Sequence, residues 1–330
     1  MRVWGLGWLV IGLLSSSACL FKKKGADDTD AEVVDEDPDG VEEEGPLRYE
    51  PDIQWDEMTF QDRSVIYYVP ENPRGLVYAF HGTGTSVDYV TRIETVAVLN
   101  ELVEAGFGFV GTSSTDRQSK QWDVDHTDVD SNEDLQVLFD LRDELIDTTD
   151  LTDDSPVYAF GFSNGGGMTG VLAMAALDAG WPMRATAPHL SGGMAYELDD
   201  FPILWVIADN DPQPSAESLI ESRSGPTEVY RCPVEPIDAL YFMRNPKVSE
   251  GESTRSQQAM VDLELLDADF LPGVPVEEFD SYLHLYETDG GSLGAVAPTS
   301  RTEEIRVAWA MHRMSGLYAR DVRDFFLEHQ

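Results

Sequence analysis

Ser163 lies between glycines in Gly161-Phe162-Ser163-Asn164-Gly165, just after the apolar β-type run Val157 to Phe160 and ahead of the helix-like run Met168 to Leu177. At such a strand-to-helix turn a serine is held with its hydroxyl exposed, and the flanking glycines leave room for close backbone approach. The hydroxyl becomes a nucleophile only beside a base, and the base needs a third group to orient it. Candidates for both stand downstream. The apolar run Ile203 to Ile207 enters Ala208-Asp209-Asn210-Asp211-Pro212, where Asp211 is the first choice for the orienting acid and Asp209 the second. Either is also ordinary turn chemistry, since Asp before Pro favours a turn. Near the chain end, Ile305 to Met311 reads as a last strand leading to His312. The stretch Leu317 to Glu328 then places Tyr318, Val322, Phe325 and Phe326 on one helical face. His284, inside the alternating stretch Tyr282 to Tyr286, reads as a packing or pocket-rim residue, and His329 as solvent-facing.

A second turn-rich loop, His81-Gly82-Thr83-Gly84-Thr85-Ser86, follows the apolar run Gly75 to Phe80 and leads into a helix starting near Val87. With elbow, loop, acid and histidine all in order, the stretch from about Met58 to Gln330 resembles the α/β-hydrolase superfamily. More narrowly, Gly161 to Thr169 is similar to the Ser-Asn-Gly-Gly elbow of the polyhydroxybutyrate depolymerase-like and feruloyl esterase-like secreted esterases. The Gly-His pair and following Trp-Pro often seen around the histidine of that group are replaced here by Met311-His312-Arg313. The resemblance implies Ser163 as nucleophile, His312 as base and Asp211 as acid, with the N–H groups of Thr83 and Asn164 holding an oxyanion and no cofactor. Chain order in that superfamily is serine, acid, histidine, so His81 is expected to brace its own loop rather than to act as a base.

The elements that must position these residues follow from the hydrophobic pattern. Met58 to Val69 reads as two strands joined across Asp62-Arg63, Phe107 to Gly111 and Arg184 to Pro188 as further strands. Ile93, Val96, Leu99 and Leu102 mark one helix, and Leu135 to Leu145 another. Strands alternating with helices call for an α/β domain with a mostly parallel, twisted sheet flanked by helices. Pro212 to Thr302 is too long for one helix and its turns; it predicts an ordinary helix near Ser253 to Phe270 and an insertion around 215–300 between the acid and histidine loops. There Tyr230, Tyr241, Phe242 and Met243 line a pocket or form a satellite core. In the acidic loop Trp122 to Asp134, the residues Asp128, Asp130, Asn132 and Asp134 are spaced by two, as Ca²⁺ ligands are. Glu133 stands where a calcium loop wants glycine and Phe139 where it wants a closing glutamate, so a solvated loop capping the Leu135 helix is expected, and no metal.

The N-terminal residues bear on location. Arg2 and the apolar run Val3 to Leu14 have the length of a signal-peptide core, which makes residues 1–18 the expected signal peptide. Ser16-Ser17-Ala18-Cys19 resembles a bacterial lipobox, with serine where leucine is preferred, and implies diacylation of Cys19 as a membrane anchor. Leu20 rather than Asp after the cysteine implies, by the same resemblance, an outer-membrane address in the bacterial envelope, with plain secretion as the alternative. Gly25 to Pro46 holds eleven acids and no base, so residues 19–46 read as a lipidated cysteine on a disordered acidic tether ahead of a 47–330 catalytic-type domain. With Cys19 lipidated, Cys232 has no disulfide partner and reads as a lone thiol.

The formal net charge of −40 leaves −33 on residues 47–330, which makes nucleic acid a poor partner. The sequence therefore supports two readings of different kind. In the first, a secreted or surface-anchored serine hydrolase cleaves carboxylic esters, a peptidase on the same fold being its variant. In the second, the fold is kept for binding carbohydrate or another protein without catalysis. Retention of serine, acid and histidine in order favours the first.

Overall fold

A computed structural model describes residues 45–52, 54–192, 198–211, 217–274 and 298–330. Residues 1–44, with the expected signal peptide, Cys19 and all but the last two residues of the expected acidic tether, lie outside the described residues, as does His284.

Eight strands form one sheet in the order β1-β2-β4-β3-β5-β6-β7-β8. They run β1 Asp56–Phe60, β2 Arg63–Tyr68, β3 Leu76–Phe80, β4 Gly108–Thr112, β5 Val157–Phe162, β6 Met183–His189, β7 Ile203–Ala208 and β8 Thr227–Cys232. β2 is antiparallel to both β1 and β4, and all other pairs are parallel. Each residue of β3, β4 and β7 is buried. Strands covered on both faces have no solvent side to alternate toward, so they read as continuous apolar runs. β1 closes one edge with exposed Asp56 and Glu57, charges that discourage edge-to-edge pairing.

Seven α-helices accompany the sheet among the described residues: α1 Ile93–Glu104, α2 Glu133–Thr148, α3 Asn164–Asp178, α4 Glu217–Ser222, α5 Glu250–Asp262, α6 Pro298–Ala308 and α7 Ala319–Glu328. Leu135, Leu138, Leu141 and Leu145 of α2 pack with Met168, Val171 and Leu172 of α3 on one face. Val98, Leu99 and Leu102 of α1 pack with Val322, Phe325 and Phe326 of α7 on the other. Burying apolar side chains of this size stabilises by about 1.5–3 kcal/mol each, and it needs both layers. A 3-10 turn, Val87–Thr91, precedes α1 where the sequence pattern placed the helix start.

Two expectations change. Ile305 to Met311 is not a strand; it is the end of α6 and the turn after it. Ile305, Ala308 and Trp309 enter a satellite core while Ala310 enters the sheet core, and a helix end covered on several sides gives the same apolar run as a buried strand. The range 215–300 also opens with α4 and β8, which belong to the sheet layer and its crossover. What lies beyond β8 builds the satellite core: Tyr241 and Phe242 join it, with Val248 and Met260 of the α5 region. Met243 is 42% exposed instead, and Tyr230 on β8 sets its ring 4.9 Å from that of Tyr318. The helix expected near Ser253 to Phe270 is α5, which starts earlier behind a Ser249/Glu252 capping box and ends at Asp262, leaving Leu263 to Phe270 outside it.

Candidate functional site

The serine is held by its own backbone. Between β5 and α3, Ser163 has φ 56° and ψ −122°, a conformation sparsely used by L residues and costing on the order of 1–3 kcal/mol. Its N–H donates to the His189 carbonyl of β6 at 2.9 Å, which fixes the turn to the sheet. The flanking glycines are sterically required. A Cβ on Gly161 would overlap the Gly165 carbonyl, and one on Gly165 would overlap the carbonyl oxygens of both Phe80 and His81. The elbow and the loop after β3 are therefore packed backbone on backbone.

His312 stands between the two other residues of interest. Its Nε2 lies 2.8 Å from Ser163 Oγ and its Nδ1 lies 2.9 Å from Asp211 Oδ2. A carboxylate against Nδ1 makes that nitrogen the N–H donor and leaves Nε2 to accept from the serine hydroxyl. The imidazole and carboxylate side chains are 13% and 10% exposed, which strengthens their interaction over that of a surface pair. The Phe162 ring lies 5.1 Å from the imidazole and covers it on one side. Ser163 and Asp211 both leave the carboxyl ends of parallel strands, β5 and β7, where open α/β sheets carry their sites. Asp209 is exposed, and its N–H donates to the Cys232 carbonyl at 3.1 Å.

His81 is buried, accepts from Ser114 N–H through Nε2 at 3.1 Å and donates from Nδ1 to the Gly82 carbonyl at 2.9 Å. Burial pushes its pKa down to about 4, so it is a neutral brace of the loop. Trp122 ties that loop to the elbow. Its indole N–H donates to the His81 carbonyl at 2.9 Å, its backbone N–H donates to Asn164 Oδ1 at 2.7 Å, and Asn164 Nδ2 returns a bond to the Trp122 carbonyl at 3.2 Å. The side chain of Asn164 is thus structural, while its backbone N–H is among the first of α3, which lack intrahelical acceptors. Thr83 is exposed in the turn beyond Gly82, and a Cβ on Gly82 would come within 2.7 Å of the Phe162 ring.

The acidic loop before α2 has its inner side chains engaged with its own backbone. Asn132 Oδ1 accepts from Leu135 N–H and caps α2, while Asn132 Nδ2 donates to the Asp123 and His126 carbonyls. Asp134 accepts from Thr115 and Asp123 N–H groups, and burial raises its pKa in spite of them. Among the described residues, no three His, Cys, Asp or Glu side chains are grouped to hold a metal ion. Cys232 is buried, and burial pushes its thiol up to about 12, away from thiolate chemistry. His329 is half-buried with its ring 4.6 Å from Phe325, where the sequence suggested a solvent-facing residue.

Trp122, Phe162 and Asn210 carry no sequence signal of these contacts. Phe162 is the variable position of the elbow motif, and the partners of Trp122 and Asn210 are mainly backbone groups far along the chain, which leave no local pattern.

The strand order, the single antiparallel strand within it and the strained serine turn together decide the architecture. This is an α/β-hydrolase fold. No family model matches the chain, and no curated protein matches it. Among solved structures it is similar to an arylesterase at 14% identity, covering 63% of this chain and 84% of the other with a TM-score of 0.43. It is also similar to Est1E from Butyrivibrio proteoclasticus with ferulic acid bound, at 16% identity over 54% and 89% of the two chains with a TM-score of 0.39. An alpha-beta serine hydrolase homologue from Coxiella burnetii gives 16% identity, 55% and 88% coverage and a TM-score of 0.40.

Proposed function

We propose that this chain is a serine hydrolase that cleaves carboxylic esters through an acyl-enzyme. The observation that supports the reading is a single imidazole with Ser163 Oγ at one nitrogen and Asp211 Oδ2 at the other. In this mechanism Ser163 Oγ attacks the ester carbonyl while His312 Nε2 takes its proton. Asp211 holds the imidazole in the required tautomer and stabilises the imidazolium. The Asn164 and Thr83 N–H groups receive the oxyanion, each worth about 10²–10³ in rate. Collapse breaks the C–O bond, the alcohol leaves with the proton from His312, and water repeats the sequence on the acyl-enzyme. The side chains of this chain supply every proton transfer, so the mechanism requires no cofactor.

Ester is preferred to amide on the resemblance of the elbow to depolymerase-like and feruloyl esterase-like enzymes. The lipobox-like Ser16 to Cys19 and the acidic stretch after it support an envelope lipoprotein, anchored in the outer membrane through Cys19 and held off the surface by residues 19–46. The test is a panel of p-nitrophenyl acetate, butyrate and octanoate beside peptide anilides, with wild type and Ser163→Ala. The expected result is ester turnover that falls by about 10⁴–10⁶ in the variant. Anilide-only turnover would make it a peptidase, and no Ser163-dependent turnover of either would leave a binding protein.

A further inference from the structure

We propose that Asn210 is a positioning residue for the hydrolytic site, setting the distance between Asp211 and His312; the inference rests on the serine-hydrolase reading and deepens it. The problem Asn210 solves is specific to this fold's histidine. Ser163 and Asp211 inherit their places from strands of one sheet, but His312 follows a helix, α6, and has no strand beneath it.

The end of α6 is held against local preference. Ala310 N–H donates to the Val307 carbonyl at 2.8 Å and Met311 N–H to the Arg306 carbonyl at 3.0 Å, the paired bonds of a helix end that reverses through a left-handed residue. That residue is Ala310, with φ 50°, at a position where glycine is usual. Three successive carbonyls of this end then face the loops that follow β7 and β8. Ala308 accepts from Glu235 N–H at 2.9 Å, Trp309 from Asn210 Nδ2 at 2.9 Å, and Ala310 from Asn210 N–H at 3.0 Å.

Asn210 therefore makes two of the three contacts, with side chain and backbone gripping adjacent carbonyls. It is the residue immediately before the acid, and the carbonyls it holds lie two and three residues before the base. Fixing both sides so near the reacting groups leaves little freedom in the Asp211 Oδ2 to His312 Nδ1 separation of 2.9 Å. The chemistry at position 210 is selective as well. Trp309 offers a carbonyl acceptor, which an amide N–H can satisfy and a carboxylate cannot.

Two substitutions, Asn210→Ala and the isosteric Asn210→Asp, each made in the Asp211 and the Asp211→Asn backgrounds, test this with p-nitrophenyl butyrate. Active sites are counted by fluorophosphonate titration, so that partial unfolding does not enter the rate. In the Asp211 background kcat per titrated site is expected to fall about 10- to 100-fold with KM within about twofold, since a displacement near 1 Å costs about that much. In the Asp211→Asn background the same substitutions should change kcat less than about threefold, because the acid's contribution is already gone. Equal losses in both backgrounds, or kcat per site within threefold of wild type, would overturn the positioning role. The two readings fail separately. A wild type without Ser163-dependent turnover removes the hydrolase reading and this inference with it, whereas an active wild type with indifferent Asn210 variants removes only the inference. If Asn210→Ala does not fold, Asn210→Asp, which keeps side-chain volume and the backbone bond, decides by the same comparison.

Discussion

Arg244→Met should cost stability in a way that depends on pH. The Arg244 guanidinium reaches Glu94 at 3.2 Å, Glu235 at 3.3 Å and Glu304 at 3.9 Å, and all four side chains are less than one-fifth exposed. Glu94 also accepts from Gly316 N–H at 2.6 Å, so the cluster braces the segment after His312. Removing the cation leaves three carboxylates in a poorly solvated place, and breaking a buried pair from one side costs about 3–5 kcal/mol. For a domain of this length that is a drop in melting temperature of roughly 5–8 °C. The sign of the pH dependence follows from the carboxyls. Burial raises the pKa of Glu235 and of Glu304, with Glu94 adding to both, so the folded state holds these protons at higher pH than the unfolded chain. Such groups favour the folded state below the ordinary carboxylate range and lose that contribution as pH rises through their raised values. The deficit of Arg244→Met against wild type should therefore be largest at pH 8 and shrink toward pH 5, as protons replace the missing cation. Differential scanning fluorimetry of both proteins from pH 5 to 8 reads it directly. A deficit under about 2 °C at pH 8, or one equal at both ends, would show that Arg244 does not offset these carboxylates.

Three further outcomes are expected. Asp211→Asn should lower kcat by about 10⁴ while Asp209→Asn changes it less than about threefold; the reverse order in ester assays would reassign the acid. Against the opposite effect of Glu235 and Glu304, buried His81 and His189 should each contribute a loss of stability as pH falls from about 6.5 toward 4, because burial lowers their pKa values to about 4 and they stay neutral while the unfolded chain takes up protons. The two contribute on the order of 3 kcal/mol each as an upper bound, and His189→Gln should reduce the slope in acid titrations of the melting temperature; an unchanged slope would place the acid sensitivity elsewhere. Cys19→Ser should move the protein from membrane to soluble fractions, and an unchanged membrane fraction would place the anchor elsewhere.

The parts of the fold legible in the sequence were those where burial leaves a simple imprint. β3, β5 and β7 lie in the sheet interior, so each appears as an unbroken apolar run ending in a loop that carries a polar residue of interest. The elbow was legible because its geometry excludes side chains at Gly161 and Gly165, which writes the constraint into residue type. Ile305 to Met311 reads as a strand because apolar length does not tell a helix end embedded in two cores from a strand. The Arg244 cluster and the Asn210 contacts were invisible for a different reason. Glu94 and Arg244 meet across 150 residues, and Asn210 and Trp309 across 99, so nothing in the neighbourhood of either partner announces the other.

Labelling with a fluorophosphonate probe followed by peptide mapping tests whether Ser163 is activated through His312. Wild type should carry one phosphonyl adduct, on Ser163; Ser163→Ala should carry none, and His312→Ala should react at least about 10³-fold more slowly while keeping its melting temperature. A wild type that does not react, an adduct on another residue, or labelling of His312→Ala at the wild-type rate would contradict that activation.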